Sequence, residues 1–258
     1  MKAIEWETAV IELIEYLVLG IVMGGVGGVF GIGGGMIAIP VLGILFGLDQ
    51  QLAQGTALVM VVPNVVLALH RYNQRNRIQL RHALPLVLMS FCFAWFGALW
   101  AVGLDPRSMR LGFVGFLLAL ALFYLVRLFM AQSPVSAQMR HPWPWLGVLG
   151  AASGTMGGLF GVGGAVVATP VLTSVFGTSQ VVAQGLSLAL ALPSTSVTLV
   201  TYAVHNEVDW RMGVPMAIGG LMSISWGVKV AYALPEKVLR GLFCAYLVLG
   251  ALLLSFKV

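Results

Sequence analysis

Long apolar runs separated by short polar stretches repeat along the chain. The first run begins near Val10 and enters a glycine-rich stretch that ends at Pro40. A short apolar piece continues to Leu48, and Asp49-Gln50-Gln51 breaks it. Further runs cover Leu52 to Leu69, Ala83 to Leu104 and Met109 to Met130. The polar stretch Gln132 to Pro144 separates these from a second series. There, apolar residues from Trp145 enter a second glycine-rich stretch, and a short piece ends near Phe176-Gly177. Runs at Val181 to Val204, Met212 to Leu234 and Val238 to Phe256 follow. A helix needs about 20 mostly apolar residues to cross a bilayer. The pattern therefore predicts an all-α polytopic membrane protein, with a first repeat at 1–131, a linker at 132–144 and a second repeat at 145–258.

The two glycine-rich stretches are copies. Gly28 to Leu42 reads GVFGIGGGMIAIPVL, Gly158 to Leu172 reads GLFGVGGAVVATPVL, and nine of the 15 positions are identical. The offset that carries Gly28 onto Gly158 also pairs Gln54-Gly55 with Gln184-Gly185, Pro63 with Pro193, Tyr72 with Tyr202, Arg81 with Arg211 and Pro85 with Pro215. An internal duplication explains this without a gap. Glycine clusters ending in proline make poor helix interior. Inside a bilayer such backbone survives only where protein buries it or a cavity wets it. Repeats with matching interrupted segments are the sequence sign of a transporter site.

How the halves are oriented depends on whether Met36–Leu48 and Val166–Phe176 cross the membrane or only dip into it. Parallel and inverted arrangements each place nine Lys and Arg on the cytoplasmic side and five outside. Clustering of Lys229, Lys237 and Arg240 near one loop tilts the reading toward inverted repeats.

Composition agrees with a membrane chain: 59% of residues are hydrophobic, 9% are charged, and the mean hydropathy is +0.97. The net charge of +5 comes from short loops such as Arg71, Arg75, Arg77 and Arg81, so topology accounts for it and nucleic acid is not an expected partner. The acidic start (Glu5, Glu7, Glu12, Glu15) fits a cleaved leader poorly, and the first run reads as a retained span. Cys92 and Cys244 have no metal-ligand spacing and read as packing residues. His70, His82, His141 and His205 fall at span ends or in loops. Trp6, Trp143, Trp145 and Trp210 fall near the expected interfaces.

The candidate chemistry is that of a dipole-lined anion site. Helix N-termini and glycine nests bind anions through unpaired N–H groups. Gly33, Gly34 and Gly35 would supply them in the first half, and Gly163 and Gly164 in the second, with Gly31, Pro40, Gly161 and Pro170 shaping the breaks. Gln54, Thr56, Asn64, Gln184, Ser187, Ser194 and Thr195 are the polar residues of the following spans and can hydrogen-bond an anion without a fixed buried charge. The competing reading is helix packing for the glycines and interhelical hydrogen bonds for the polar residues. No acid or base lies in the centre of a span, which argues against a cation carrier or a buried-carboxylate proton pump. No catalytic or metal-binding constellation is present, so neither a cofactor nor a metal is expected.

The paired stretches resemble the signature of the sulfite exporter TauE/SafE family of sulfonate-uptake-type permeases. Gly31, Gly33, Gly34, Gly35 and Pro40 match in the first copy, and Gly161, Gly163, Gly164 and Pro170 in the second; Ala165 stands where the first copy has Gly35. The resemblance implies secondary transport of a small anionic substrate, sulfite or an organosulfonate, across a bacterial inner membrane by alternating access. A channel or uniporter for the same anions is the alternative, and a membrane-embedded enzyme or assembly factor a weaker one. A homodimer in the lipid bilayer remains open.

Overall fold

The computed structural model describes residues 2–75, 80–129 and 144–255, so the linker 132–144 lies almost wholly outside the described residues. Among the described residues all regular structure is helical: α1 Lys2–Phe30, α2 Gly35–Leu45, α3 Gln50–Arg75, α4 Leu80–Val102, α5 Pro106–Phe129, α6 Pro144–Phe160, α7 Ala165–Ser174, α8 Gln180–Val204, α9 Trp210–Ala233 and α10 Glu236–Ser255. The first residues of α2 to α5 are the repeat counterparts of the first residues of α7 to α10, and α1 and α6 end at the counterparts Phe30 and Phe160. The starts of α3 and α8 have related causes. Asp49 Oδ1 accepts from Leu52 N–H at 3.0 Å, and Ser179 Oγ from Val182 N–H at 3.4 Å. Among the described residues six helices are long and apolar enough to cross a membrane: Val10–Phe30, Gln50–Gln74, Ala83–Val102, Pro106–Phe123, Gln180–Val204 and Trp210–Ala233.

The short helices α2 and α7 do not continue the helices before them. Gly34 packs on the Met23 carbonyl and Gly27 on Gly33 and Gly34, so the chain has doubled back. Further along, the Phe46 ring meets Tyr16 at 5.4 Å, which places the end of α2 beside the first third of the α1 span. In the second half Gly164 packs on the Ser153 carbonyl and Gly157 on Gly164. There α6 and α7 line an open apolar pocket of about 400 Å³ with Trp145, Val148, Leu149, Val171, Val175 and Phe176, among others. Both glycine breaks are thus tips of helical hairpins.

The halves interlock. Gly20, Gly24 and Gly28 of α1 lie against Met216, Gly220 and Ile224 of α9, so these helices run parallel. Their counterparts Gly150, Gly154 and Gly158 of α6 lie against Leu86, Ser90 and Ala94 of α4. Lipid supplies no hydrophobic drive between helices, and small residues allow the close approach that replaces it. Phe30 packs on Phe243 of α10 at 5.3 Å, and its counterpart Phe160 on Phe113 of α5 at 5.5 Å.

At the centre α3 and α8 run antiparallel. Gln54, early in α3, bonds Tyr202, late in α8, while Tyr72, late in α3, bonds Gln184, early in α8. The crossing is therefore centred on the counterparts Pro63 and Pro193. One end of the bundle gathers Asp49, Asp105, Glu207 and Asp209 together with Arg107, Arg110 and Arg211, and the other Arg71, Arg81 and Lys229. The first, which holds these acids, is the acidic end and the second the basic end.

Candidate functional site

The breaks have the same backbone. Gly31, Gly33 and Gly34 have φ of 67°, 75° and 93°, and Gly161, Gly163 and Gly164 have φ of 68°, 75° and 69°. A side chain at these positions would strain the left-handed backbone. Gly34 and Gly164 are the N-caps of α2 and α7, and neither helix start has a side-chain cap. Each helix therefore opens with buried N–H groups that lie beyond the reach of its own carbonyls. The two tips meet: a Cβ on Gly35 would sit 3.7 Å from the Gly161 carbonyl oxygen.

That Cβ would also sit 2.8 Å from Val61 Cγ2, which explains the one small-residue difference between the motifs. The counterpart of Val61 is Ala191. A glycine faces a valine in one half, and the pair becomes two alanines in the other.

All seven polar side chains singled out in the sequence are buried. Asn64 Nδ2 donates to Gly33 O at 3.4 Å, and its counterpart Ser194 Oγ to Gly163 O at 3.1 Å. The carbon framework of Gln184 packs on Gly31 and that of Gln54 on Gly161, while the Thr195 methyl packs on Gly163. Two residues serve elsewhere. Thr56 Oγ1 accepts from Asp209 N–H at 2.9 Å at the start of α9, and Ser187 Oγ lies 2.9 Å from Thr169 Oγ1, tying α8 to α7. Pro40 and Pro170 lie inside α2 and α7 and are buried.

The amides of the two glutamines differ. Gln184 Oε1 accepts from Tyr72 Oη at 2.9 Å and its Nε2 donates to Val29 O at 3.2 Å. Gln54 Oε1 accepts from Tyr202 Oη at 2.7 Å, but its buried Nε2 has no partner. Ser153, whose backbone carbonyl packs on Gly164, also has a buried and unpartnered Oγ. Its counterpart is the apolar Met23. The second break is therefore flanked by two unpaired donors, whereas Asn64 leaves an acceptor, Oδ1, unpaired at the first. Tyr72, Tyr202 and Ser153 are absent from the sequence-derived site. The matching places of the two tyrosines in the repeats were the available signal, and Ser153 had none because its counterpart is apolar.

Among the described residues the buried polar set contains Gln, Asn, Ser and Thr but no Asp, Glu, Lys, Arg or His. No described group of three His, Cys, Asp or Glu is arranged to hold a metal ion.

The family described as sulfite exporter TauE/SafE matches residues 16–254. A probable membrane transporter protein of Methanocaldococcus jannaschii is 26% identical over 87% of this chain and 88% of its own length. The probable membrane transporter protein YdhB of Bacillus subtilis is 24% identical over 95% of this chain and 99% of its own length. A probable membrane transporter protein of Xylella fastidiosa is 26% identical over 79% of each chain. No solved structure matches the chain. Family and relatives indicate a multi-pass membrane transporter rather than an enzyme.

Proposed function

The chain belongs to the sulfite exporter TauE/SafE family, and on that premise we propose that it carries a small sulfur oxyanion, sulfite or a small organosulfonate, by alternating access. The observation that carries this reading is the second break. There an uncapped helix start follows glycines that pack on Gln54 and on the Ser153 backbone, and each of these two residues carries a buried side-chain donor without a partner, Nε2 and Oγ. Unpaired donors in a dry interior are costly, and a ligand that offers only acceptor oxygens satisfies several at once. A carboxylate ligand set would bind cations instead, and the described interior has none.

The binding residues in this reading are Gly33, Gly34 and Gly35 facing Gly163 and Gly164, with Gln54 and Ser153 as side-chain donors. Asn64, Ser194 and Thr195 brace the glycine loops, and Gln184 braces the first tip. In this reading the hairpins α1–α2 and α6–α7 return to the side they enter from, so α3, α4 and α5 cross in the first half and α8, α9 and α10 in the second, although by length and composition of the described residues α1 is also a candidate span and α10 is not. The antiparallel α3 and α8 support inverted repeats about an axis in the membrane plane. The basic end is then the cytoplasmic one, and a bacterial inner membrane is the setting. A carrier is favoured over a channel because buried hydrogen bonds close the α3–α8 crossing on both sides of the breaks.

The test is efflux of labelled sulfite from proteoliposomes. Saturable efflux that external sulfite accelerates is expected, with the rate falling at least about tenfold in Gln54→Leu, the cost of one lost charge-assisted hydrogen bond. Efflux that rises linearly with concentration would make the protein a channel. A wild-type rate in Gln54→Leu would move the site away from the second break.

A further inference from the structure

We propose that the Tyr72–Gln184 and Tyr202–Gln54 hydrogen bonds are the two gates of the transport path and that they open alternately. This rests on the carrier reading and assigns its moving contacts.

Each bond joins the two halves, α3 of the first to α8 of the second. Each also reaches the last turn of a broken helix. Tyr72 Oη lies 3.3 Å from Gly28 O, and Gln184 Nε2 donates to Val29 O. Tyr202 Oη lies 3.3 Å from Leu159 O, the counterpart of Val29. A hairpin tip is thus held to both central helices at one place only by neutral hydrogen bonds, which can be exchanged at small cost.

Their placement fits gates. The helical rise separates the backbones of Gln54 and Tyr72 by about 27 Å along α3, and those of Gln184 and Tyr202 equally along α8. Tyr72–Gln184 is toward the basic end and Tyr202–Gln54 toward the acidic end. Gly31 and Gly161 pack on the glutamines of the two bonds, and the following glycines of each tip lie between the bonds. Gly33 rests on Val61 and Val65 of α3, and Gly163 on Ala191 and Thr195 of α8, all between the two bonds along their helices. A substrate at the breaks must pass one bond or the other to leave. Both are formed and both tyrosines are buried, so the structure is shut at both ends.

The gates are unequal. At the basic end Gln184 uses both amide ends, and the Tyr232 ring covers Tyr72 at 5.5 Å. At the acidic end Gln54 keeps an unpaired Nε2, and the counterpart of Tyr232 is Val102. The acidic-end gate therefore opens more readily.

Hydrogen exchange on the full chain in lipid nanodiscs, without substrate, tests this. Tyr72→Phe and Tyr202→Phe keep the ring and remove one hydroxyl. In Tyr72→Phe, exchange at residues 180–188 should rise about fivefold, the factor one net hydrogen bond supports, and fall at 50–58. Tyr202→Phe should do the reverse, and in wild type residues 50–58 should exchange faster than 180–188. Gln184→Leu and Gln54→Leu should reproduce the two patterns, which guards against a variant that folds poorly. A rise at both ends in each variant, or a change confined to the mutated end, would make the bonds structural and overturn the proposal. Loss of sulfite binding with the reciprocal pattern intact would remove the proposed substrate and leave the gates standing.

Discussion

The two glycine breaks share a backbone and differ in chemistry. Left-handed glycines at matching positions, an uncapped helix start and a hairpin reversal are common to both. The first break is braced: Gln184 is fully engaged and Met23 fills the place of a hydroxyl. The second carries the unpaired Gln54 amide and Ser153 hydroxyl. Duplication conserves what the backbone needs, and the flanking side chains are free to specialise. A two-fold path can thus hold its substrate on one side.

The largest expected effect treats both breaks alike. Gly34→Ala and Gly164→Ala each force a side chain into left-handed backbone and onto a carbonyl, of Met23 and Ser153 respectively. Each should cost more than about 2 kcal/mol of stability, read by thermal melting. Tolerance of one but not the other would break the structural equivalence.

Gly35→Ala comes next and should separate the halves. It should cost about 1–3 kcal/mol by overpacking against Val61, and Val61→Ala should recover most of the loss in a double-mutant cycle. Ala165→Gly, in the half where Ala191 is the counterpart of Val61, should cost less than about 1 kcal/mol. Additive losses for Gly35→Ala and Val61→Ala would show that the two side chains do not compete for one space.

The glutamines sharpen the comparison further. Gln184→Leu leaves Tyr72 Oη only the longer contact to Gly28 O and removes the side-chain donor of Val29 O, and should destabilise by about 1–3 kcal/mol. Gln54→Leu likewise leaves Tyr202 Oη only its contact to Leu159 O but also removes an unpaired donor, so its loss of stability should be the smaller. Equal melting temperatures would contradict the assignment of Gln184 as a brace.

The smallest effect concerns the ends. Glu207 at the acidic end has Arg77 as its counterpart in sequence. Burial, with Asp49 adding to it and His205 opposing, holds its carboxyl above the ordinary 4.5. An acid with a raised folded-state value stabilises the fold when protonated, and that contribution is lost as pH rises through the folded value. Glu207→Gln should therefore melt above wild type at neutral pH, with the gap closing below about pH 4.5. A gap that widens in acid would reverse the sign.

Much of this was legible in the chain. The duplication, the helical class and the burial of the seven polar residues follow from a pattern repeated at one offset. The reversal at each break was not legible, because a dipping segment and a crossing one have the same apolar composition. The direction changes at three left-handed glycines, and only their conformation shows it. Thr56 and Ser187 were grouped with the site as polar residues of the spans that follow the breaks, and their hydrogen bonds to Asp209 and Thr169 could not be read from that pattern. The Tyr–Gln bonds join residues 112 and 148 positions apart, a pairing that requires the antiparallel crossing to be known.

The most direct test of the asymmetric site is calorimetric titration of the purified protein with sulfite. Affinity should fall at least about tenfold in Gln54→Leu, the worth of one hydrogen bond to a charged ligand, and stay within about threefold of wild type in Gln184→Leu. Equal losses in both variants, or a loss in Gln184→Leu alone, would contradict an anion held at the second break.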